Sequence, residues 1–372
     1  MGPTFNFLKR TFVGVIFLLL YCEVLIFYFV QMNCSWPSLD PSKSDETIPS
    51  STEKPLKIMV LADTHLLGSK RGHWLDKLRR EWQMYRAFQT AITLHNPELV
   101  FVLGDLMDEG HICSEKEFDY YIDRFYNLFS VPDGTKMYVV VGNHDIGFHY
   151  RISPYLQKRF EKGFKSPPVQ LVSLRGNHFV LVNSMALEGD GCFLCQPAEV
   201  ELRNIEKILK CSKNSTKGCD PSLTLPKYSR PILMQHYPLY RESDKECTDF
   251  DAAPMPEKEE LFRENWECLS KEATYQILKQ VQPRLALSGH THHGCTRQLP
   301  IGGIEITIPS FSWRNKNNPN YALGVFTPNN YAISKCEMPK ESTVFNLYIL
   351  GIILIFLWLF LFRKSRRINI KH

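Results

Sequence analysis

Five short stretches of this chain end in side chains able to hold a divalent cation: Asp63-Thr64-His65, Gly104-Asp105, Gly142-Asn143-His144-Asp145, His236, and Gly289-His290-Thr291-His292. Any one of them alone carries little weight, because an Asp-x-His pair or a lone His is more often a hydrogen-bonded structural residue than a ligand. All five, however, follow runs of apolar residues and recur in the same context. Imidazoles, carboxylates and an Asn carbonyl form a mixed nitrogen and oxygen set, suited to Mn, Fe, Zn or similar divalent ions and unsuited to a soft thiolate site. One cation does not take seven protein ligands and stay open to a substrate, whereas two cations about 3.5–4 Å apart sharing a carboxylate use all seven. Such a pair neutralises a phosphate ester and lowers the pKa of a shared water from its bulk value of about 15.7. His144, surplus to the ligand set, is placed to donate a proton to the leaving oxygen, and Asp145 to orient that imidazole.

The elements that must position these groups are legible as KIMVLADTH (57–65), LVFVLGDLMDEG (99–110), MYVVVGNHD (137–145), PILMQHYP (231–238) and RLALSGHTHH (284–293). Continuous apolar runs of four to six residues indicate strands buried on both faces. Helical patterns separate the first three. Residues 74–95 place Leu75, Leu78, Trp82, Tyr85, Phe88 and Ile92 in one stripe, and 114–129 opens with Ser114 and Glu117 at capping-box spacing. This order predicts an α/β sheet with a parallel portion, whose carboxyl-end edge gathers the polar clusters. Residues 169–183 read as a hairpin around Arg175-Gly176-Asn177, and 295–335 as further strands, so a second, more antiparallel sheet is expected.

Residues 11–30 and 344–362 are each apolar enough and long enough to cross a bilayer. Lys9 and Arg10 precede the first, and a basic tail at 363–372 follows the second, which predicts cytosolic termini at 1–10 and 363–372. Between the spans lie a stalk (31–56), a folded lumenal domain (57–337) and a linker (338–343). Seven of the 44 Lys and Arg fall in the two tails, and residues 31–343 hold 37 basic and 38 acidic side chains, so no nucleic-acid footprint is expected. Ten cysteines outside the first span suit an oxidising compartment, Cys192-x-x-Cys195 reading as a structural disulfide or free thiols, and Asn214-Ser215-Thr216 is a glycosylation sequon.

The ordered pattern D-x-H, GD-x-x-[DE], GNH-[DE], H and GH-x-H resembles the calcineurin-like metallophosphoesterases over about residues 57–330. The resemblance implies an α/β fold, a β-sandwich flanked by helices, here with a transmembrane helix at each end. It also implies one metal on Asp63, His65 and His292, another on Asn143, His236 and His290, and Asp105 between them. Asp108 stands where purple acid phosphatases carry a ligating Tyr, which argues against a redox-active iron pair. GDLMDEG (104–110), SGHTHHGC (288–295) and PSFSWRNKNNPNY (309–321) further resemble a membrane-anchored branch that removes a side-chain ethanolamine phosphate from the second mannose of glycosylphosphatidylinositol (GPI) anchors. That likeness implies two divalent ions, manganese by preference, and GPI-anchored proteins as substrate. It also implies cargo receptors for export from the endoplasmic reticulum (ER) as partners, and a setting at ER exit sites and the cis-Golgi. Arg314 is a phosphate-binding candidate, and His293 a weaker substrate contact. The competing expectations are another lumenal lipid-headgroup or nucleotide-sugar diester as substrate, or a non-catalytic cargo adaptor.

Overall fold

The computed structural model describes residues 3–48, 53–213, 219–220 and 223–369. Asn214 lies outside the described residues. Among the described residues, eleven strands form two facing sheets. In the first, β1 (Leu56–Leu61), β2 (Leu99–Leu103) and β3 (Lys136–Val140) run parallel; β10 (Asn320–Thr327) pairs antiparallel with β1, and β11 (Asn330–Glu337) with β10. The second has the order β4 (Val169–Leu174), β5 (Asn177–Val182), β6 (Ile232–Gln235), β7 (Leu285–Ser288), β9 (Ile304–Thr307) and β8 (Cys295–Gln298). Its centre, β5-β6-β7-β9, is parallel and only its edges pair antiparallel, so the expectation of a second sheet more antiparallel than the first is corrected. The antiparallel pair β10–β11 joins the first sheet instead.

The continuous apolar runs have the predicted cause. From β1, Leu56, Ile58 and Val60 enter the space between the sheets, where they meet Phe101, Phe179, Met234 and Leu287, while Met59 and Leu61 face the helices. A strand with both faces covered needs apolar residues at every position, not at alternate ones. The covering helices on the first sheet include α3 (Trp74–His95) and α4 (Glu115–Leu128), the latter started by the Ser114/Glu117 capping box. The short α5 (Asn143–Ile146) leads to α6 (Pro154–Phe164), and α7 (Gln196–Lys213) packs with α8 (Lys271–Val281) on the second sheet.

Two apolar helical segments, Phe7–Gln31 and Glu341–Leu361, are long enough to cross a membrane. The first comprises α1 (Pro3–Leu20), a π-helical turn Tyr21–Leu25 and α2 (Ile26–Gln31); the second begins α9 (Glu341–Asn369). They pack together where side chains are smallest: a Cβ on Gly14 would stand 3.2 Å from Ile355, and one on Gly351 would collide with Leu18. Glu23, the one acid in the first segment, accepts a hydrogen bond from the Tyr348 hydroxyl of the second, so its carboxylate is satisfied by the partner helix.

The segments before and after the domain are not free tethers. Cys34 is disulfide-bonded to Cys336, the Trp36 indole donates to the His95 carbonyl (3.3 Å), and the Asp45 amide donates to the Asn329 carbonyl (2.8 Å). Hydrogen bonds and one covalent bond therefore pin the described part of the stretch read as a stalk to the body of the domain. At the other end Met338 is buried and Arg79 pairs with Glu341 at 2.8 Å. Three more disulfides, Cys192–Cys195, Cys211–Cys219 and Cys247–Cys295, join described residues elsewhere in the domain.

Candidate metal centre

The five motifs converge on one edge of the sandwich, but from both sheets. Asp63 and His65 follow β1, Asp105 follows β2, and Asn143 and His144 begin α5 after β3; His236 follows β6, and His290 and His292 follow β7. The loops are held in sharply turned conformations. Asp63, His65, Asp105, His290 and His292 all have positive φ, between 44° and 74°, a region non-glycine residues rarely occupy and one that concentrates at functional sites. Interstrand bonds enforce it: the Asp63 amide donates to Gly104 O (3.1 Å), the His65 amide to Asp105 O (2.9 Å), and the Gly289 amide to His236 O (2.9 Å). Gly142 is required by proximity, since a Cβ there would run into the Asp105 amide and carboxylate.

Two sets of donor atoms result. Asp63, His65 and His292 offer ligand atoms within 4.8 Å of one another, and so do Asp105, His236 and His290. Asn143 joins the second set, its Oδ1 lying 3.1 Å from His236 Nε2. Asp105 Oδ2 stands between them, 3.4 Å from His65 Nε2 and 3.3 Å from His236 Nε2. Outer hydrogen bonds fix which ring nitrogen faces inward. His236 Nδ1–H donates to Leu103 O (2.7 Å), His65 Nδ1–H to Asp108 Oδ1 (3.2 Å), and His290 Nε2–H to Trp266 O (2.6 Å). That leaves His290 Nδ1 buried without a partner among the described residues, and sets His65 Nε2 3.3 Å from His292 Nε2. Lone pairs converging on a shared space are what metal-binding imidazoles with occupied outer nitrogens present.

The electrostatics make the same demand. Burial, and then the negative charge of Asp105, push the Asp145 carboxyl up to about 8; burial raises Asp63 to about 7 against the pull of His236. Burial and the neighbouring His236 lower His290 to about 3, so it stands as a neutral ligand. Against burial, the charges of Asp105 and Asp63 push His236 up to about 9, so these crowded acids draw positive charge into the site, and two divalent cations would supply it in place of that proton.

Two expectations need correction. Asp145 does not orient His144. Its carboxylate accepts from the Leu106, Met107 and Gly142 amides (3.0, 3.2 and 2.8 Å), and so shapes the loop that carries Asp105. The group on His144 is Asp108, whose main-chain carbonyl accepts from Nδ1–H at 3.1 Å and whose carboxylate lies 3.5 Å away. Asp108 thus serves both His65 and His144, a double role that the last position of the GD-x-x-D motif could have signalled. His293 turns away from the centre, toward Glu257 (3.1 Å) and Lys316 (3.2 Å). Arg314 stays at the mouth, half-exposed and 3.7 Å from Asp108 Oδ2. Sequence reasoning also missed Tyr237, a buried ring whose centroid lies 4.3 Å from that of His290.

Residues 56–294 match the family model described as calcineurin-like phosphoesterase. The chain is 50% identical to Metallophosphoesterase 1 of Rattus norvegicus over 345 residues, 92% of this chain and 85% of that protein. It is 49% identical to Metallophosphoesterase 1 of Ailuropoda melanoleuca over 346 residues, 92% of this chain and 86% of that one. A solved dimetal phosphatase from Danio rerio aligns with 77% of this chain and 97% of its own, at 16% identity and a TM-score of 0.47.

Proposed function

This chain belongs to the calcineurin-like phosphoesterases and is a metal-dependent phosphoester hydrolase; from that premise we propose that it removes a side-chain ethanolamine phosphate from the second mannose of GPI anchors. Asp63, His65 and His292 would hold one cation, Asn143, His236 and His290 the other, with Asp105 shared. When bound, two divalent cations neutralise the diester and acidify a water for in-line attack at phosphorus. The mixed nitrogen and oxygen donors admit manganese among the first-row divalent ions, and the resemblance to the anchor-remodelling branch is what favours it.

The protein's own residues supply the remainder. A sugar alkoxide is a poor leaving group and needs a proton as the P–O bond breaks. His144 can deliver it from Nε2, because Asp108 O occupies Nδ1–H and turns the other nitrogen outward. Asp108 also keeps His65 in the tautomer whose Nε2 faces inward. Asp145 holds the Asp105 loop, and Arg314 at the mouth offers a fork of N–H donors to a phosphate oxygen.

One observation carries the choice of a membrane-borne substrate. The loop at 309–317 touches the centre at one end, where the Ser310 hydroxyl donates to Asp63 O (2.8 Å). Three residues on, the Trp313 ring lies 6.4 Å from Phe27 of the first apolar helix, and its indole donates to Pro339 O (2.9 Å). The centre therefore lies within a few residues of the first apolar helix, which suits a lipid-linked glycan presented at the lumenal surface. Both termini are cytosolic on this reading, the site of action is the ER-to-Golgi route, and the trimmed anchor is what export receptors then recognise.

The test is a glycan assay. Purified full-length protein is incubated with a GPI-anchored protein and manganese, and the anchor is released and weighed by mass spectrometry. Loss of one ethanolamine phosphate with the native protein and none with Asp63→Ala is expected. An unchanged anchor, alongside turnover of a different diester, would reject the substrate.

A further inference from the structure

Helix α3 does not bury the stripe that its sequence periodicity draws. Its second half packs Met84, Ala87, Phe88, Ala91 and Ile92 into the core, but its first half leaves Trp74 68%, Leu75 53%, Leu78 60% and Trp82 40% exposed. Positions 74, 78 and 82 fall four residues apart, so these side chains line one outward face. Nothing in the described fold covers it. Four large apolar groups in a row form a contiguous patch, the kind that marks an interaction surface and not scattered surface apolar residues.

What lies beside the patch identifies its occupant. Arg79, on the same turn, pairs with Glu341 at the start of α9 and lies 3.9 Å from the Phe345 ring centroid, at the foot of the second apolar helix. The inner face of α3 packs against the first apolar helix, which places Cys22, Ile26 and Phe27 in the same core cluster as Met84 and Phe88. Those three residues lie within the apolar stretch itself, not beyond its end. At about 1.5 Å rise per residue, Cys22 is some 13 Å along the helix from Gln31. Helix α3 therefore crosses the apolar pair within its hydrophobic span. Between residues 70 and 86 the chain also has six Lys or Arg against two Asp or Glu, and Lys77 and Arg86 lie over the rings of Tyr120 and Trp82.

We infer that the first half of α3 is an interfacial membrane helix, its Trp74–Leu75–Leu78–Trp82 face seated in the lumenal leaflet beside the two spans. Amphipathic helices bind at this boundary with Trp and Leu inward and Lys and Arg among the headgroups. The inference rests on the two-span reading of the proposed function and adds a third point of contact, which fixes the tilt of the catalytic body. The chain from His65 to Trp74 connects the metal centre to this helix, and Glu109 anchors that loop by accepting from the Lys70 amide (3.0 Å). Seating α3 in the leaflet would thus hold the mouth at headgroup level.

The full-length chain in nanodiscs tests this by tryptophan quenching, with Trp74→Phe/Trp82→Phe subtracted to isolate the two indoles. Quenching of their emission by lipids brominated on the upper acyl chain is expected, with little quenching by aqueous iodide. Free access to iodide and none to brominated lipid would overturn the inference. Protection from both, together with crosslinking between chains, would do so too by assigning the face to a second copy. In parallel, Trp74→Ser/Leu75→Ser/Leu78→Ser should raise KM for a bilayer-embedded GPI-anchored protein about five- to tenfold while leaving turnover of soluble bis(p-nitrophenyl) phosphate unchanged. If the native protein does not process GPI at all, the substrate proposal fails, and the quenching result alone still decides where α3 sits.

Discussion

The catalytic mouth and the junction with the two apolar helical segments are built on opposite principles. At the mouth, polar groups are crowded, several sit at positive φ, and inward-facing lone pairs lack partners. At the junction, apolar side chains such as Cys22, Ile26 and Phe27 simply continue the core of the domain, reinforced by the Cys34–Cys336 bond. One region stores strain and charge for a ligand to relieve; the other is stable as it stands. Substitutions should therefore separate the two, abolishing catalysis without unfolding at the first and weakening the fold without touching chemistry at the second.

The largest effect is expected from Asp105→Ala, which removes the carboxylate common to both donor sets. Diester hydrolysis should fall at least about a thousandfold and bound metal should drop, while thermal unfolding changes little; initial rates, elemental analysis and calorimetry measure the three. A variant that stays active would break the contrast at its centre. His144→Ala should lose about a hundredfold or more on a sugar-phosphate diester. The loss should shrink on a p-nitrophenyl ester, whose leaving group needs no proton, and equal losses on both would remove the acid role. Asp108→Ala should lower activity or metal affinity about 10- to 100-fold, as expected of a group that orients ligands. Titration with manganese while following rate would show whether excess metal restores it.

Across the divide, Cys34→Ser/Cys336→Ser should weaken the fold by about 2–4 kcal/mol in denaturant titration and leave the rate on a soluble diester unchanged. A smaller, pH-dependent effect belongs to Glu188, a buried acid outside both regions. Burial, with Asp190 adding to it, raises its carboxyl from near 4.5 to about 8. Between those values the folded chain keeps a proton that the unfolded chain releases, so stability declines as pH rises through the window. Glu188→Gln should melt about 2–4 °C above the native protein at pH 8 and converge with it near pH 4.5.

The same contrast explains what the sequence could disclose. Asp63, His65, Asp105, Asn143, His236, His290 and His292 are recognisable because few residue types can do their work, and because buried strands announce themselves by unbroken apolar runs. Asp145 misled because adjacency to His144 in sequence says nothing of direction; its carboxylate turns back to three amides. Asp108 was hidden by its role, serving through other residues. The junction was harder still. An apolar stripe such as Leu75, Leu78 and Trp82 reads identically whether it meets protein or lipid, since periodicity reports which side is apolar and not what lies against it. The assignment of β10 and β11 to the first sheet likewise depends on pairing partners distant in sequence, which turn signals do not specify.

The cross-link between residues 34 and 336 closes a ring of 302 positions around the entire catalytic body. A protease that nicks any one surface loop inside that ring therefore cannot release a fragment: both cut pieces stay attached to each other and to both apolar helical segments. On an unreduced gel the nicked protein would run as a single species, and only a thiol reagent would part it in two. Release of a piece thus requires at least a second cut or a reducing environment.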